Sequence, residues 1–269
     1  MHIAIVGNGI SGITAARHLR KKSNAKITVI SSESKYFYSR TALMYIYMGH
    51  MKLKNTQPYE PDFWQINKID LKYAHVNQID FEANTLHFDT GEIMGYDSLI
   101  LAVGSTSNRF GWPGQDLDGV GSLYSLQDLE EMEKFSKNLN RAVIVGGGLI
   151  GVEMAEMFHS RKIPVTFLVR EKSYWNNVLP PEESEIVNQE ILDHHIDLQI
   201  ETELKEIMHN ARGSVSGVRT SKEKKINCGF VGLTAGVHPN VAFLRNSKLE
   251  IDKGILVNEH LETNVKDVY

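Results

Sequence analysis

The sequence predicts an α/β protein made of two halves, each opening on a short apolar strand that breaks at a glycine-rich turn into a helix. Three observations carry this expectation. His2-Ile3-Ala4-Ile5-Val6 runs into Gly7-Asn8-Gly9-Ile10-Ser11-Gly12, and a helical face follows at Ile10, Ile13, Ala16 and Leu19. Ala142-Val143-Ile144-Val145 runs into Gly146-Gly147-Gly148-Leu149-Ile150-Gly151, with Ile150, Met154, Met157 and Phe158 recurring at helical spacing. Two more apolar runs, Ser98 to Leu101 and Phe230 to Leu233, lead into small residues and glycine: Ala102-Val103-Gly104 and Ala235-Gly236. In a Gly-x-Gly-x-x-Gly turn the first glycine permits the sharp bend. The second admits a pyrophosphate to the backbone, and the third lets the helix pack on the strand. The helix start supplies free N–H groups and a positive dipole end. One such turn is a weak signal. Two in one chain, each with a strand before and a helix after, read as two dinucleotide sites on two Rossmann-like three-layer domains. Two packing turns with no ligand are the competing reading, and the repeated strand–turn–helix context argues against it.

Composition sets the outer bounds. The chain has 269 residues, 42% hydrophobic and 23% charged, which suffices for two cores in a globular protein. A formal net charge of −4 points to neither a nucleic-acid nor a membrane-surface partner, and Lys222-Glu223-Lys224-Lys225 reads as a solvated hairpin. No apolar run approaches the about 20 residues needed to span a bilayer. The first strand starts at residue 2, leaving no room for a secretory leader, so the expectation is a soluble, cytoplasmic protein. The one cysteine, Cys228, excludes a disulfide within the chain, and its place at the entry to an apolar strand favours a buried structural thiol.

After the first helix, Lys26-Ile27-Thr28-Val29-Ile30 completes a βαβ unit. An acidic residue that grips an adenosine ribose belongs at the end of this second strand, where the sequence reads Ser31-Ser32-Glu33. Glu33 comes slightly late, so it is either the ribose ligand, with help from the serines, or a surface charge. Tyr36 to Met48 is dense in aromatics and methionines around Arg40. It is either a core helix or a wall beside a flat ring system, with Arg40 facing a phosphate. A polar loop through Pro58 and Pro61, a short helix from Phe63 to Asn67 and strand from Leu71 through Asp80 follow. Thr85 to Phe88 and Glu92 to Met94 form a hairpin across Asp89-Thr90-Gly91. At the end of the strand from Ser98, Ala102 and Gly104 let a cofactor lie against the backbone. Residues 116–121 read as a linker, and Leu126 to Leu139 as an amphipathic helix.

In the second half Val165-Thr166-Phe167-Leu168-Val169 ends in Arg170-Glu171-Lys172. Arg170 suits a 2′-phosphate and hence NADPH, whereas Glu171 suits a free 2′-hydroxyl and hence NADH. Both stand at the right distance, and the choice stays open. A helix starts at Pro180-Pro181 and ends at His194-His195. That histidine pair reads as a helix terminus, because adjacent residues diverge on a helix and no third ligand is placed nearby. Ile200 to Ile207 and Val215 to Arg219 are expected strands, and Ile255-Leu256-Val257 a final one.

Together these residues resemble the two-dinucleotide flavoproteins of the pyridine nucleotide–disulfide oxidoreductase family, in its nitrite reductase, rubredoxin reductase and ferredoxin reductase branch. The matching motifs are Gly7-x-Gly9-x-x-Gly12, Tyr38-Ser39-Arg40, Tyr96-Asp97-x-Leu99-Ile100-Leu101-Ala102-x-Gly104, Gly146-x-Gly148-x-x-Gly151-x-Glu153, Gly236-x-x-Pro239-Asn240 and Gly254-Ile255-Leu256-Val257. The resemblance implies FAD in the first unit and NADH or NADPH in the second, with the NAD(P) domain inserted in the FAD domain. On that pattern residues 1–118 begin the FAD domain, 119–243 form the NAD(P) domain and 244–269 return. The implied contacts are Gly7, Gly9, Ile10, Ser11, Gly12, Ser31, Ser32, Glu33, Arg40, Val76, Ala102, Val103 and Gly104 for FAD. For the pyridine nucleotide they are Gly146, Gly148, Leu149, Ile150, Gly151, Glu153, Arg170, Ala235 and Gly236. Glu153 would lie near the nicotinamide, its alternative being a helix-surface carboxylate. The chain departs from the family in three ways. It has no redox-active cysteine pair, and Met44 or Tyr45 stands where some ferredoxin reductases have a lysine. It also stops before the Gly-Asp segment and interface domain with which the family continues, so it reads as a piece of a longer protein.

The expected activity is therefore an FAD-dependent oxidoreductase. It takes hydride from NAD(P)H and passes electrons to a small molecule or small redox protein, with no metal and no side-chain nucleophile. A homodimer is compatible with that reading. The rival is a nucleotide-binding module without turnover; a component of an NADH-dependent nitrite or rubredoxin reductase is a narrower version of the first.

Overall fold

The computed structural model describes residues 1–269. The chain divides into two compact units. One contains Met1–Arg40, Lys52–Thr106 and His238–Tyr269; the other contains Thr41–Met51 and Ser107–Val237.

In the first unit four parallel strands lie in the order Ile69–Tyr73, Lys26–Ser31, His2–Val6, Ser98–Leu101. Successive side chains of a strand point to opposite faces. Ile3 and Ile5 accordingly meet Ile13 and Ala16 of the helix Ile10–Lys22, together with Ile27, Val29 and Trp64. Ala4, Ile30 and Leu99 go to the other face and pack over Leu86 and Phe88 of an antiparallel sheet, Val76–Asp80, Thr85–Phe88 and Ile93–Gly95. Helix, parallel sheet and antiparallel sheet make three layers. The single strand expected from Leu71 to Asp80 is two, separated at Ala74-His75 and belonging to different sheets.

The returning segment completes this unit. Leu244, Leu249 and Val268 enter the core under the antiparallel sheet. The Leu99 N–H donates to the Asp267 carbonyl (2.9 Å), and the Tyr269 N–H donates to the Leu99 carbonyl (2.9 Å). The strand expected at Ile255-Leu256-Val257 does not form. Only an isolated bridge joins Ile251 to Ile255, and Leu256 and Val257 stay exposed. An apolar β-branched run becomes a strand only where another strand takes its ladder, and here the Leu256 N–H turns back to the Glu250 carbonyl.

The second unit repeats the plan. Five parallel strands lie in the order Asp197–Gln199, Val165–Leu168, Ala142–Val145, Phe230–Leu233, Val120–Gly121. The middle three are buried along their whole length, which is why they read as unbroken apolar runs. Leu204–His209, Val215–Thr220 and Lys225–Asn227 form an antiparallel sheet, and the basic run sits at its second turn. Lys205 and Arg219 pair there with Glu206 and Glu223. These pairs are solvent-exposed and add little stability.

Thr41–Met51 belongs with this second unit. In its helix Leu43–Tyr47, Leu43 and Tyr47 are buried, as the core-helix reading of that stretch requires. The Arg161 guanidinium carbon lies 3.5 Å from the Tyr47 ring centre, and Glu133 accepts from that guanidinium at 2.5 and 2.8 Å. The Tyr47 hydroxyl is 2.5 Å from Ser136 Oγ.

The helix Leu126–Ser136 starts in a capping box: the Asp128 N–H donates to Ser125 Oγ (3.1 Å) and the Ser125 N–H to Asp128 Oδ2 (2.9 Å). Replacing Ser125 by alanine should cost about 1 kcal/mol of stability in chemical denaturation. A midpoint equal to that of the parent would show that the cap is not felt.

Candidate functional site

Both glycine turns lie at the carboxyl edge of a parallel sheet, over a strand flanked by neighbours on either side, the place where open α/β sheets take ligands. Register makes the two comparable. Val6 stands opposite Ile30 and Leu101; Val145 stands opposite Leu168 and Leu233. Gly7, Asn8 and Gly9 therefore correspond to Gly146, Gly147 and Gly148, and Glu33 corresponds to Glu171. Counting from Leu101 and Leu233, the partner of Ala102 is Thr234, one residue earlier than the sequence likeness of Ala102 and Ala235 suggests.

Gly7 and Gly146 have φ of +112° and +122°. A β-carbon on Gly7 would run into the Ala102 carbonyl, and one on Gly146 would stand 2.8–2.9 Å from the Thr234–Ala235 peptide. The turn thus packs backbone to backbone against the neighbouring strand end. Gly12 and Gly151 press on the carbonyls of Gly7 and Gly146 in the same manner. The middle glycines differ: nothing lies within 4 Å of a β-carbon placed on Gly9 or Gly148. They are the N-caps of Ile10–Lys22 and Leu149–Ser160, with no side-chain cap and no acidic residue in either first turn. First-turn N–H groups have no acceptor inside their own helix. The side chains that follow, Ile10 and Leu149, are 69% and 55% exposed despite being large and apolar. Open backbone, uncapped N–H groups and an uncovered apolar side chain are what a bound pyrophosphate and its sugars would cover, so both turns fit a dinucleotide.

Around the first turn, Glu33 and Arg40 come together. Arg40 donates from Nη1 to Glu33 Oε1 (2.9 Å) and from Nη2 to Oε2 (2.6 Å), and the Tyr38 hydroxyl also donates to Glu33. Ser31 Oγ accepts from the Glu33 N–H at 3.2 Å, and Ser32 Oγ lies 3.4 Å from His75 Nδ1. Ser11 is exposed beside Ile10. Val103 is half-buried and Gly104 exposed at the strand end, and the Gly104 carbonyl takes the Asn240 N–H (3.0 Å). Val76 is buried in the core with Leu86 and Phe88. Asn8, which sequence reasoning passed over, is buried, and its amide donates to the Ser34 carbonyl at 2.8 Å. It ties the turn to the loop that holds Glu33. A polar side chain between two structural glycines was the signal.

Around the second turn, Arg170 pairs with its neighbour: Nη2 and Nε stand 3.0 and 3.3 Å from Glu171 Oε1. The Arg170 side chain is 71% exposed and that of Glu171 is less so. Val169, at the strand end, is fully buried against the Gly147 position. Thr234 Oγ1 donates to the Val145 carbonyl (3.0 Å), and Asn108 holds the next two residues through the Ala235 carbonyl (3.1 Å) and the Gly236 carbonyl (3.0 Å). Neither Thr234 nor Asn108 belongs to the glycine motif. Ile150 and Glu153 lie half-buried on the helix. Burial, then the nearby Glu156, raises the Glu153 carboxyl above its ordinary pKa.

No three histidine, cysteine, aspartate or glutamate side chains are grouped to hold a metal ion. His194 caps its helix, with Nδ1 2.9 Å from the Glu190 carbonyl. Burial pushes the Cys228 thiol up to about 12, so no thiolate is available near neutrality. No helix is long and apolar enough to cross a membrane.

The family model for the pyridine nucleotide-disulphide oxidoreductases matches residues 1–269. The chain is 27% identical over 271 residues to the Bacillus subtilis nitrite reductase [NAD(P)H], covering 99% of this chain and 33% of that protein. It is 27% identical to the NADH-rubredoxin oxidoreductase of Clostridium acetobutylicum, covering 99% of this chain and 66% of that one. Among solved structures, a ferredoxin reductase from Rhodopseudomonas palustris superposes with a TM-score of 0.91 at 25% identity, covering 99% of this chain and 66% of that one. The chain thus spans between a third and about two thirds of these relatives. With the doubled turn, the repeated three-layer unit and a match along its whole length, the chain belongs to the pyridine nucleotide-disulphide oxidoreductase family.

Proposed function

We propose that this chain is the two-nucleotide part of an FAD-dependent oxidoreductase that takes hydride from NADH or NADPH and hands electrons to a separate acceptor. The observation that supports it is the pair of turns, each open over its middle glycine and each leading into an uncapped helix. FAD would be held at the first turn and the pyridine nucleotide at the second. When bound, the two cofactors supply the hydride and electron chemistry themselves.

The chain's own residues bind and orient. The Ile10 and Ser11 N–H groups would meet the FAD pyrophosphate, and those of Leu149 and Ile150 the pyridine-nucleotide pyrophosphate, each helped by roughly half a positive charge at the helix start. Glu33 would accept from the adenosine ribose while Arg40 fixes its carboxylate. Ala102, Val103 and Gly104 would admit the first cofactor to the backbone at the strand end, as Ala235 and Gly236 would the second. Arg170 would meet a 2′-phosphate, and Glu171 a free 2′-hydroxyl. Glu153 would face the nicotinamide side of the second turn. The relatives named for rubredoxin and ferredoxin support a small redox protein as acceptor class.

Anaerobic titration of the purified protein tests this reading: flavin absorbance that bleaches with NADH or NADPH supports it. A colourless protein that binds NAD but cannot be reconstituted with FAD would make the chain a binding module instead. Replacing Gly148 by valine should lower pyridine-nucleotide affinity at least about tenfold, by filling the space over the turn, and leave bound flavin in place; unchanged affinity would remove that assignment. If Arg170 meets a 2′-phosphate, Arg170→Ala weakens NADPH binding more than NADH binding, and equal losses would end that role.

Glu153 also has a pH signature. Its raised pKa means that the folded state resists ionising it. Stability is therefore lost as pH climbs from the unfolded carboxylate value, about 4.3, through the higher folded one. The melting temperature of Glu153→Gln relative to the parent should rise across that window and level off above it; a difference flat with pH would mean that burial of the carboxyl is not felt.

A further inference from the structure

The two turns are braced differently. In the first, Asn8 supplies a side-chain hydrogen bond to Ser34. Its counterpart in the second is Gly147, which has no side chain to supply one. The support comes from the other direction. Tyr174, only 2% exposed, donates its hydroxyl to the Gly148 carbonyl at 2.7 Å. Tyr174 is itself fixed: its N–H donates to Asn188 Oδ1 (2.9 Å), and the Asn188 amide donates to Ser173 Oγ (2.8 Å) and Glu185 Oε2 (2.9 Å). Its ring packs on Phe167, with centres 5.7 Å apart. A continuous hydrogen-bonded path thus runs from the helix Pro181–Asp193, through Asn188 and Tyr174, to the middle glycine of the turn.

We propose that Tyr174 positions the second turn for the pyrophosphate of the pyridine nucleotide, by fixing through its hydroxyl the plane of the Gly148–Leu149 peptide. The inference rests on reading that turn as the pyridine-nucleotide site. A trans peptide is planar, with its C=O and the following N–H pointing opposite ways. Whatever fixes the direction of the Gly148 carbonyl therefore fixes the Leu149 N–H in the opposite direction, beside a glycine whose missing β-carbon would meet nothing within 4 Å. A glycine with no β-carbon holds that orientation poorly unaided. The Gly148 carbonyl also takes the N–H groups of Gly151 (3.0 Å) and Val152 (3.3 Å), so the tyrosine acts on the first turn of the helix itself. Burial, followed by the charge of Glu153, pushes the Tyr174 hydroxyl up to about 12, so it remains a donor throughout the neutral range. Tyr174 touches no cofactor in this account; it is a positioning residue.

The test compares the flavin-loaded parent with Tyr174→Phe, which keeps the ring and removes the donor, and with Asn188→Ala, which loosens the tyrosine and leaves its hydroxyl. Calorimetric titration with NADH and with ADP-ribose should give affinities about three- to tenfold weaker for the phenylalanine variant, the scale of one net hydrogen bond, and a smaller loss for Asn188→Ala. Bound flavin should be unchanged. The KM for NADH should rise while flavin reduction at saturating NADH keeps its rate, and the Gly151 and Val152 amides, both bonded to the Gly148 carbonyl, should exchange hydrogen faster in the free variant. Affinities within twofold of the parent would overturn the proposal, as would parallel loss of flavin and pyridine nucleotide, which marks general destabilisation. Should the phenylalanine variant not fold, Asn188→Ala decides by the same criteria. A parent that holds flavin yet binds neither NADH nor ADP-ribose would remove the site assignment itself, whereas a parent that binds both beside an indifferent variant removes only the role of Tyr174.

Discussion

The first N–H groups of a helix must find acceptors outside the helix, and this chain begins two of its longer helices without providing them. The surroundings are arranged to keep those groups presented. Strand-end backbone is pressed against the turn from one side and the helix from the other, so the turn cannot relax inward to satisfy its own donors. The side chains at the opening are either absent, at Gly9 and Gly148, or apolar, at Ile10 and Leu149. Each substitution that would quiet the helix start, such as a serine cap or an early aspartate, is missing from both places. Stability has been left unclaimed at these points, and a phosphate ligand is the simplest acceptor of matching charge.

Within that shared frame the two units diverge in their polar details. The first places a glutamate, an arginine and a tyrosine together beyond its second strand. The second has an arginine–glutamate pair of adjacent residues, more open to water, and a buried valine where the chain leaves the sheet. Packing explains part of the contrast. Gly147 allows Val169 to close over the turn, whereas Asn8 holds the corresponding loop by its amide. The same backbone device therefore carries two different polar rims.

Much of this was legible from residue order. Glycine spacing and apolar runs depend on local geometry, so the strands, turns and helices that define each unit could be placed before any coordinates. What escaped depends on contacts between distant residues. Glu33 and Arg40 could be assigned a ribose and a phosphate separately, but their mutual pairing arises across an irregular loop that has no period to read. Thr234 was hidden because Ala235 offers the closer likeness to Ala102, and only strand register shifts the correspondence by one residue. The aromatic stretch around Tyr47 gave no sign that Thr41–Met51 packs with residues more than a hundred positions later. Ile255 to Val257 has the composition of a strand and no strand to join.

The return of the chain has a consequence for how the protein is made. Chain growth reaches Leu99 long before its neighbour Val268, which follows the last segment of the second unit. The second unit draws on Thr41–Met51 and on residues that end at Val237, so all its parts have emerged while the first unit still lacks His238–Tyr269. Of these two units, the one begun earlier is the one completed later. Until then the apolar underside of its sheet has to stay out of trouble during translation, when exposed apolar surface invites aggregation.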